Sequence, residues 1–349
     1  RTCFVSAGAV KSRSGHWNHR LLSGVRILSS VLVFTVFRAG AEPVTALAFS
    51  PDGGLVSNGP RALLLRSAAS GQVRESLPCD LAKITSLTFA SRRHWLVVAG
   101  GRAGVEGRLQ VFDWRTRRVT EGWSHPTDLV TRVAVSAREA FLGAASANHT
   151  ARIWRLMENE TGLGEAVTLV GHSGPVLNIA FSPDEKKVVT VSADRSVKVW
   201  STEDGRLLRS FNQHTEAVHT LVFRPVPDAA AGVVSACATG GDDRTVRVWQ
   251  PEIGRMVRIV RRHAGAVFAL AYAVDGASLF SAGAEGVIRR IDADSDEILN
   301  EWPAHTDWIY SLAVSQDGLS LASGDWTGAV KVWDLSAQPP SLRQPGGVE

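Results

Sequence analysis

Three cysteines in 349 residues, Cys3, Cys79 and Cys237, stand far apart and supply no disulfide framework. No Cys-x-x-Cys-His occurs, so no c-type haem attachment is encoded. Most of the ten histidines stand at wide intervals, unlike the short spacings of a zinc site, and no metal or other cofactor is expected. The glycine-rich stretch from Gly100 to Gly107 lacks the helix start and the Lys-Ser or Lys-Thr that a phosphate cradle requires. It reads as a flexible hairpin loop. The apolar run from Ile27 to Phe37 has eleven residues, too few for a membrane-crossing helix.

Charge is also scarce once its distribution is considered. The total is +4, but residues 1–30 hold five basic side chains and no acid, which leaves the rest of the chain at −1. The clusters Arg92-Arg93-His94, Arg115 to Arg118 and Arg258 to Arg262 are short. A phosphate-tracking groove needs many contacts on one face, so these read as solvated loops and edge strands, and nucleic acid is not the expected partner.

What the sequence does contain is a period. The stretch GHSGPVLNIAFSPDEKKVVTVSADRSVKVW, ending at Trp200, holds three short β patterns separated by turn signals, and Leu207 to Phe211 supplies a fourth before His214 restarts the pattern. Aligned on Trp200, the chain gives Arg66, Phe112, Trp154, Trp200, Trp249, Ile291 and Trp333, at spacings of 46, 42, 46, 49, 42 and 42 residues. Aligned on His172 it gives His125, His172, His214, His263 and His305, with two degenerate copies at the start. The unit is a four-stranded meander present seven times.

These copies resemble the WD40 family through Gly171-His172, Ser182-Pro183-Asp184, Asp194, Asp243-Arg244-Thr245, Trp200, Trp249 and Trp333-Asp334. The resemblance covers about residues 41–335. It implies an all-β fold, a seven-bladed propeller of four-stranded antiparallel blades. Several copies depart from the pattern, since Arg66, Phe112 and Ile291 replace the tryptophan. More narrowly, DDRTVRVWQPEIGRMVRIVRRH and SAGAEGVIRRIDADSDEIL are similar to WD40 proteins of environmental bacteria, some of which carry c-type cytochrome domains.

His172, Thr190 and Asp194 have the parts of a nucleophilic triad, but His214, Thr239 and Asp243 repeat them in register. A set repeated with the fold is architecture. The resemblance implies buried chains from indole to hydroxyl to histidine to acid: His172, Thr190, Asp194 and Trp200; His214, Thr239, Asp243 and Trp249; and His305, Ser323 and Trp333, with Thr327 in the last copy. Repeat six keeps His263 and Ser281 but has Glu285 and Ile291 at the acid and tryptophan positions.

Function is then expected on the loops of one rim, those before the first strand and between the second and third. Candidate partner contacts there are Asp128, His219, Asp242, Phe268, Trp308, Tyr310 and Trp326, because aromatic anchors are enriched at binding hot spots. The expected function is a non-enzymatic scaffold, a monomer in a larger complex, docking a protein or peptide on this rim. The alternative is an enzyme with its site at the channel mouth, which would need an unrepeated convergent cluster beyond Asp128, Asp242 and Asp307.

The ends carry two further expectations. Residues 1–30 show neither period nor alternation and read as a disordered or targeting segment. Residues 27–41 allow two readings. One is a secretory signal with a small-residue cleavage site at Ala39-Gly40-Ala41, placing the protein in the periplasm or outside the cell; without it, a cytoplasmic location is expected. The other reading makes Val31 to Phe37 a strand that crosses the seam and completes the last blade, because the tail of residues 336–349 is too rich in proline and glycine to supply one.

Overall fold

A computed structural model describes residues 42–125, 128–157, 163, 165–226 and 235–343. Every regular element within them is a strand, and among these residues no helix is long and apolar enough to cross a membrane. Seven separate sheets of four antiparallel strands follow one another along the chain, each in the order a-b-c-d.

The a strands are Leu47–Phe49, Ile84–Ala90, Val130–Val135, Val176–Phe181, Val218–Phe223, Val267–Tyr272 and Ile309–Val314, numbered here as blades 1 to 7. Each packs against the a strands of both neighbouring blades, and that of blade 1 packs against that of blade 7. The a strands are therefore innermost and the ring closes. The protein is a seven-bladed β-propeller.

Register confirms the sequence period at every copy. Arg66 faces Leu55, Phe112 faces Leu96, Trp154 faces Leu142, Trp200 faces Val188, Trp249 faces Cys237, Ile291 faces Leu279 and Trp333 faces Leu321. The apolar residues on the two faces of each sheet cannot be buried within one blade, so the core lies between blades. Six of the seven layers hold nine to twelve buried apolar residues each, and the layer between blades 7 and 1 holds five: Val44, Leu47, Leu55, Ala322 and Val332. The cause is local. Trp200, Trp249 and Trp333 each fill the layer toward the preceding blade. The residue that takes this place in blade 1 is Arg66.

Blades on the opposite rim are tied by buried carboxylates. Glu139 accepts hydrogen bonds from the backbone N–H groups of Arg92 (2.8 Å) and Arg93 (3.2 Å), and Glu185 accepts one from Arg138 (2.5 Å). Both glutamates have positive φ, 61° and 60°, which aims each side chain from its own turn at that of the preceding blade.

Two expectations need correction. The glycine-rich stretch of blade 2 is not a loose loop, because Gly100, Gly101 and Arg102 pair with Arg108, Gly107 and Glu106 in a continued ladder. Its glycines answer to close approach: a Cβ on Gly100 would lie 1.8 Å from the Lys83 carbonyl oxygen, and one on Gly107 2.3 Å from that of Asp128. The tail also supplies a strand after all. Ser341–Leu342 pairs with Asp334 and Trp333 as strand d of blade 7, and the Arg343 N–H bonds the Val332 carbonyl at 2.9 Å. Only two paired residues are needed there, and they lie beyond the Pro339-Pro340 break. The segment Val31 to Phe37 lies outside the described residues, as do residues 1–30.

Candidate functional site

Two structures built from the repeat compete for a functional role: the buried histidine networks and the rim above them. In blade 4 the Trp200 indole N–H donates to Thr190 Oγ1 (2.8 Å), which lies 2.7 Å from His172 Nε2, and His172 Nδ1 lies 2.9 Å from Asp194 Oδ2. Blade 5 repeats this through Trp249, Thr239, His214 and Asp243 at 2.8, 2.8 and 2.7 Å. Blade 7 repeats it through Trp333, Ser323, His305 and an acid the sequence reading missed, Asp325, at 2.9, 2.7 and 2.8 Å.

Asp325 escaped notice because it sits two residues after the hydroxyl, whereas Asp194 and Asp243 sit four after theirs. Residues i and i+2 share a strand face, so the end of the strand can deliver the acid in place of the turn. Its other oxygen accepts from the N–H groups of Thr327 and Ala329, both at 2.9 Å.

Blade 6 keeps the histidine pair with a longer acid: His263 Nε2 lies 2.8 Å from Ser281 Oγ and Nδ1 lies 2.7 Å from Glu285. Arg289 binds both Glu285 oxygens and reaches Glu301 at 2.7 Å. In blade 1 Arg66 Nε donates to Ser57 Oγ at 2.8 Å, taking the part of the indole N–H. His125 is on strand d of blade 2, Arg118–His125, and its side chain lies outside the described residues.

The donor inventory fixes the protonation pattern. Each indole can only donate, so each hydroxyl accepts from it and donates to Nε2, leaving Nδ1–H to face the acid. Burial opposes ionisation of Asp194 and Asp243, but hydrogen bonds from His172 and Ser196, and from His214 and Thr245, outweigh it and hold both carboxyls well below the usual range. Asp325 is lowered for the same reasons. Glu285, held by His263 and Arg289 against the cost of burial, is pulled down to about 2. Burial lowers the His214 value, with Asp243 opposing it. Each hydroxyl here is already engaged, by an indole and a histidine in blades 4, 5 and 7, by a histidine in blade 6 and by an arginine in blade 1.

The rim is built differently. In blades 2 to 7 the a strand carries a bulge at its second residue, giving Thr85, Thr131, Leu177, His219, Phe268 and Tyr310, and Thr45 occupies the equivalent place in blade 1. A bulge re-aims its extra side chain. In blades 1 to 3 that side chain is a latch: Thr45, Thr85 and Thr131 donate to the backbone oxygens of Ile84 (3.2 Å), Val130 (2.6 Å) and Val176 (2.6 Å) in the next blade.

In blades 5 to 7 it is a ring. Phe268 stacks on Tyr310 with centroids 5.0 Å apart and meets His219 edge-on at 5.2 Å. Trp308 lies 5.6 Å from Phe268 and 6.4 Å from Trp326, which is 5.7 Å from Tyr310. His219 Nε2 is 2.8 Å from Asp242 Oδ1, off the line of a hydrogen bond. Burial, then the charge of Asp307, pushes the Tyr310 hydroxyl up, so it stays protonated.

Six of the seven candidate contacts thus form one strip: His219, Asp242, Phe268, Trp308, Tyr310 and Trp326. Asp128 stands apart, where its Oδ1 accepts from the Gly104 N–H at 2.7 Å and holds the blade 2 hairpin. The backbone explains the strip. Trp326 N–H bonds the Trp308 carbonyl, and the same rim bond joins Ala193 to Pro175, Asp242 to Ala217 and Ala284 to Ala266. Small residues fill these places in blades 4 and 6, tryptophans in blade 7. Among the described residues, no three His, Cys, Asp or Glu side chains converge as a metal site.

The propeller, its networks and its period agree with the WD40 family model, described as "WD domain, G-beta repeat", which matches residues 165–201, 205–250 and 296–334. Actin-interacting protein 1 of Drosophila melanogaster is 26% identical over 204 residues, covering 57% of this chain and 32% of that protein. A WD repeat-containing protein of Synechocystis is 27% identical over 143 residues, covering 41% and 38%. THO complex subunit 3 of Arabidopsis thaliana is 24% identical over 208 residues, covering 59% and 63%. The chain thus spans less than two thirds of the length of each of these curated relatives.

Proposed function

We propose that this propeller is a non-enzymatic scaffold whose partner, a protein or peptide segment, docks on the rim of blades 5 to 7. The observation that carries the reading is the single run of touching rings from His219 to Trp326, whose bulge positions hold threonine in blades 1 to 3 and Leu177 in blade 4. Trp308 is 40% exposed although it packs on three other rings. Rings prearranged by one another lose little freedom on binding, and large amphipathic side chains concentrate binding energy. The histidine networks, by contrast, recur in four blades and are engaged internally. Two relatives support the reading by their names alone, one as an actin-interacting protein and one as a subunit of a complex.

The test is affinity purification with the parent chain, a Trp308→Ala, Trp326→Ala variant and an Asp128→Ala variant, each checked for an unchanged circular dichroism spectrum. The aromatic pair should lose the partners that the other two baits retain. Identical partner sets for all three would remove the rim assignment.

A further inference from the structure

The innermost strands carry one formal charge between them. Across Leu47–Phe49 and the six a strands that follow it there is no Asp, Glu or Lys, and a single Arg, Arg132 in blade 3. Its register position holds Ala46, Ser86, Asn178, Thr220, Ala269 and Ser311 in the other blades, all buried and uncharged. Arg132 is only partly buried. An a strand has strand b along one edge and a neighbouring blade against each face, so the solvent it meets is that of the central channel. One residue above Arg132 is the bulge at Thr131, which places Arg132 just inside the mouth.

Nothing within the described residues answers this charge. The guanidinium has no hydrogen bond, ion pair or ring contact there. Thr131 donates to the Val176 carbonyl and Ser86 accepts from the Val133 N–H at 3.2 Å, and neither hydroxyl bonds the guanidinium. Surrounding protein strips water from the group, and desolvation lowers its pKa. A guanidinium presents five N–H donors in a planar fork and stays charged, so a desolvated one without a counter-charge is costly. The fork fits a carboxylate or phosphate oxygen pair.

We propose that Arg132 makes the mouth of the central channel an oxyanion site, taking a carboxylate or phosphate-type group that enters from the rim. The group has two sources, a free anion or the acidic side chain of a docked segment. The site is separate from the aromatic strip, and its test does not depend on that reading.

Titration calorimetry of the full chain with inorganic phosphate, acetate and N-acetyl-aspartate amide, in buffer low in other anions, tests it. At least one ligand should bind saturably at one site, raise the melting temperature of the parent, and bind tenfold or more weakly to Arg132→Gln. Arg195→Gln, on the exposed rim of blade 4, should bind like the parent. Binding of phosphate alone assigns the site to a free anion, and binding of the aspartate derivative assigns it to an acidic side chain. Absence of saturable binding to the parent overturns the proposal whatever the variants do, as does equal weakening by Arg195→Gln. Should Arg132→Gln not fold, Arg132→Lys retains the charge without the fork and should still bind more weakly than the parent.

Discussion

Asp194 shows what one side chain does in this fold. It receives the His172 Nδ1–H and, at 2.9 Å each, the backbone N–H groups of Ser173 and Ser196, so it joins the incoming loop to the turn between strands b and c. In Asp194→Ala a buried histidine donor loses its acceptor, and stability should fall by about 1–3 kcal/mol. Chemical denaturation of mutant and parent with equal midpoints would show the network to be inert. The same carboxylates set an acid limit. Their folded values lie below the ordinary 3.8 for Asp194, Asp243 and Asp325 and 4.5 for Glu285. Their stabilisation is therefore complete above the ordinary values and lost as pH falls through the folded ones, for Glu285 between about 4.5 and 2. His214, also lowered from 6.5, acts in the same direction and begins to weaken the fold as pH drops below that value. Denaturation midpoints measured from pH 7 to 2 should decline slowly below 6.5 and steeply below 4.5.

Elements differ in how far the sequence announced them. The strands of blade 4 read almost residue for residue, because period-2 alternation and the Ser182-Pro183-Asp184 turn agree on one register. Blade 2 was misread since glycine serves two opposed purposes, freedom in a loop and clearance in a ladder, and only the neighbouring carbonyls of Lys83 and Asp128 decide between them. Asp325 was hidden by a two-residue shift of the acid, and the strand Ser341–Leu342 by a proline-rich lead. The rim aromatics were legible as a set, but their mutual packing was not, because it depends on bulges that align three separate strands. Blade 1 combines a three-residue a strand, an arginine in the tryptophan place and the thinnest apolar layer. Its backbone amides should exchange with deuterium faster than those of blades 4 and 5. Equal protection, read by mass spectrometry, would mean that Arg66 and its bond to Ser57 replace the missing network in full.

For the whole molecule, the seam between blades 7 and 1 matters most. Elsewhere neighbouring blades are consecutive in the chain; here residues 42–78 meet residues 309–343, and no strand of either described sheet crosses over. Among the described residues the joint is made by five buried apolar side chains with Phe49, Ala313 and Val330 packed against them, the Val44 N–H to Asp325 carbonyl bond at 2.9 Å and the Ser311 hydroxyl to Val44 carbonyl bond at 2.8 Å. A ring fastened this way is a bracelet with a clasp. Pried apart between Val44 and Asp325, the described residues would separate without unzipping a single ladder, and the circle would spring into a crescent with every blade intact.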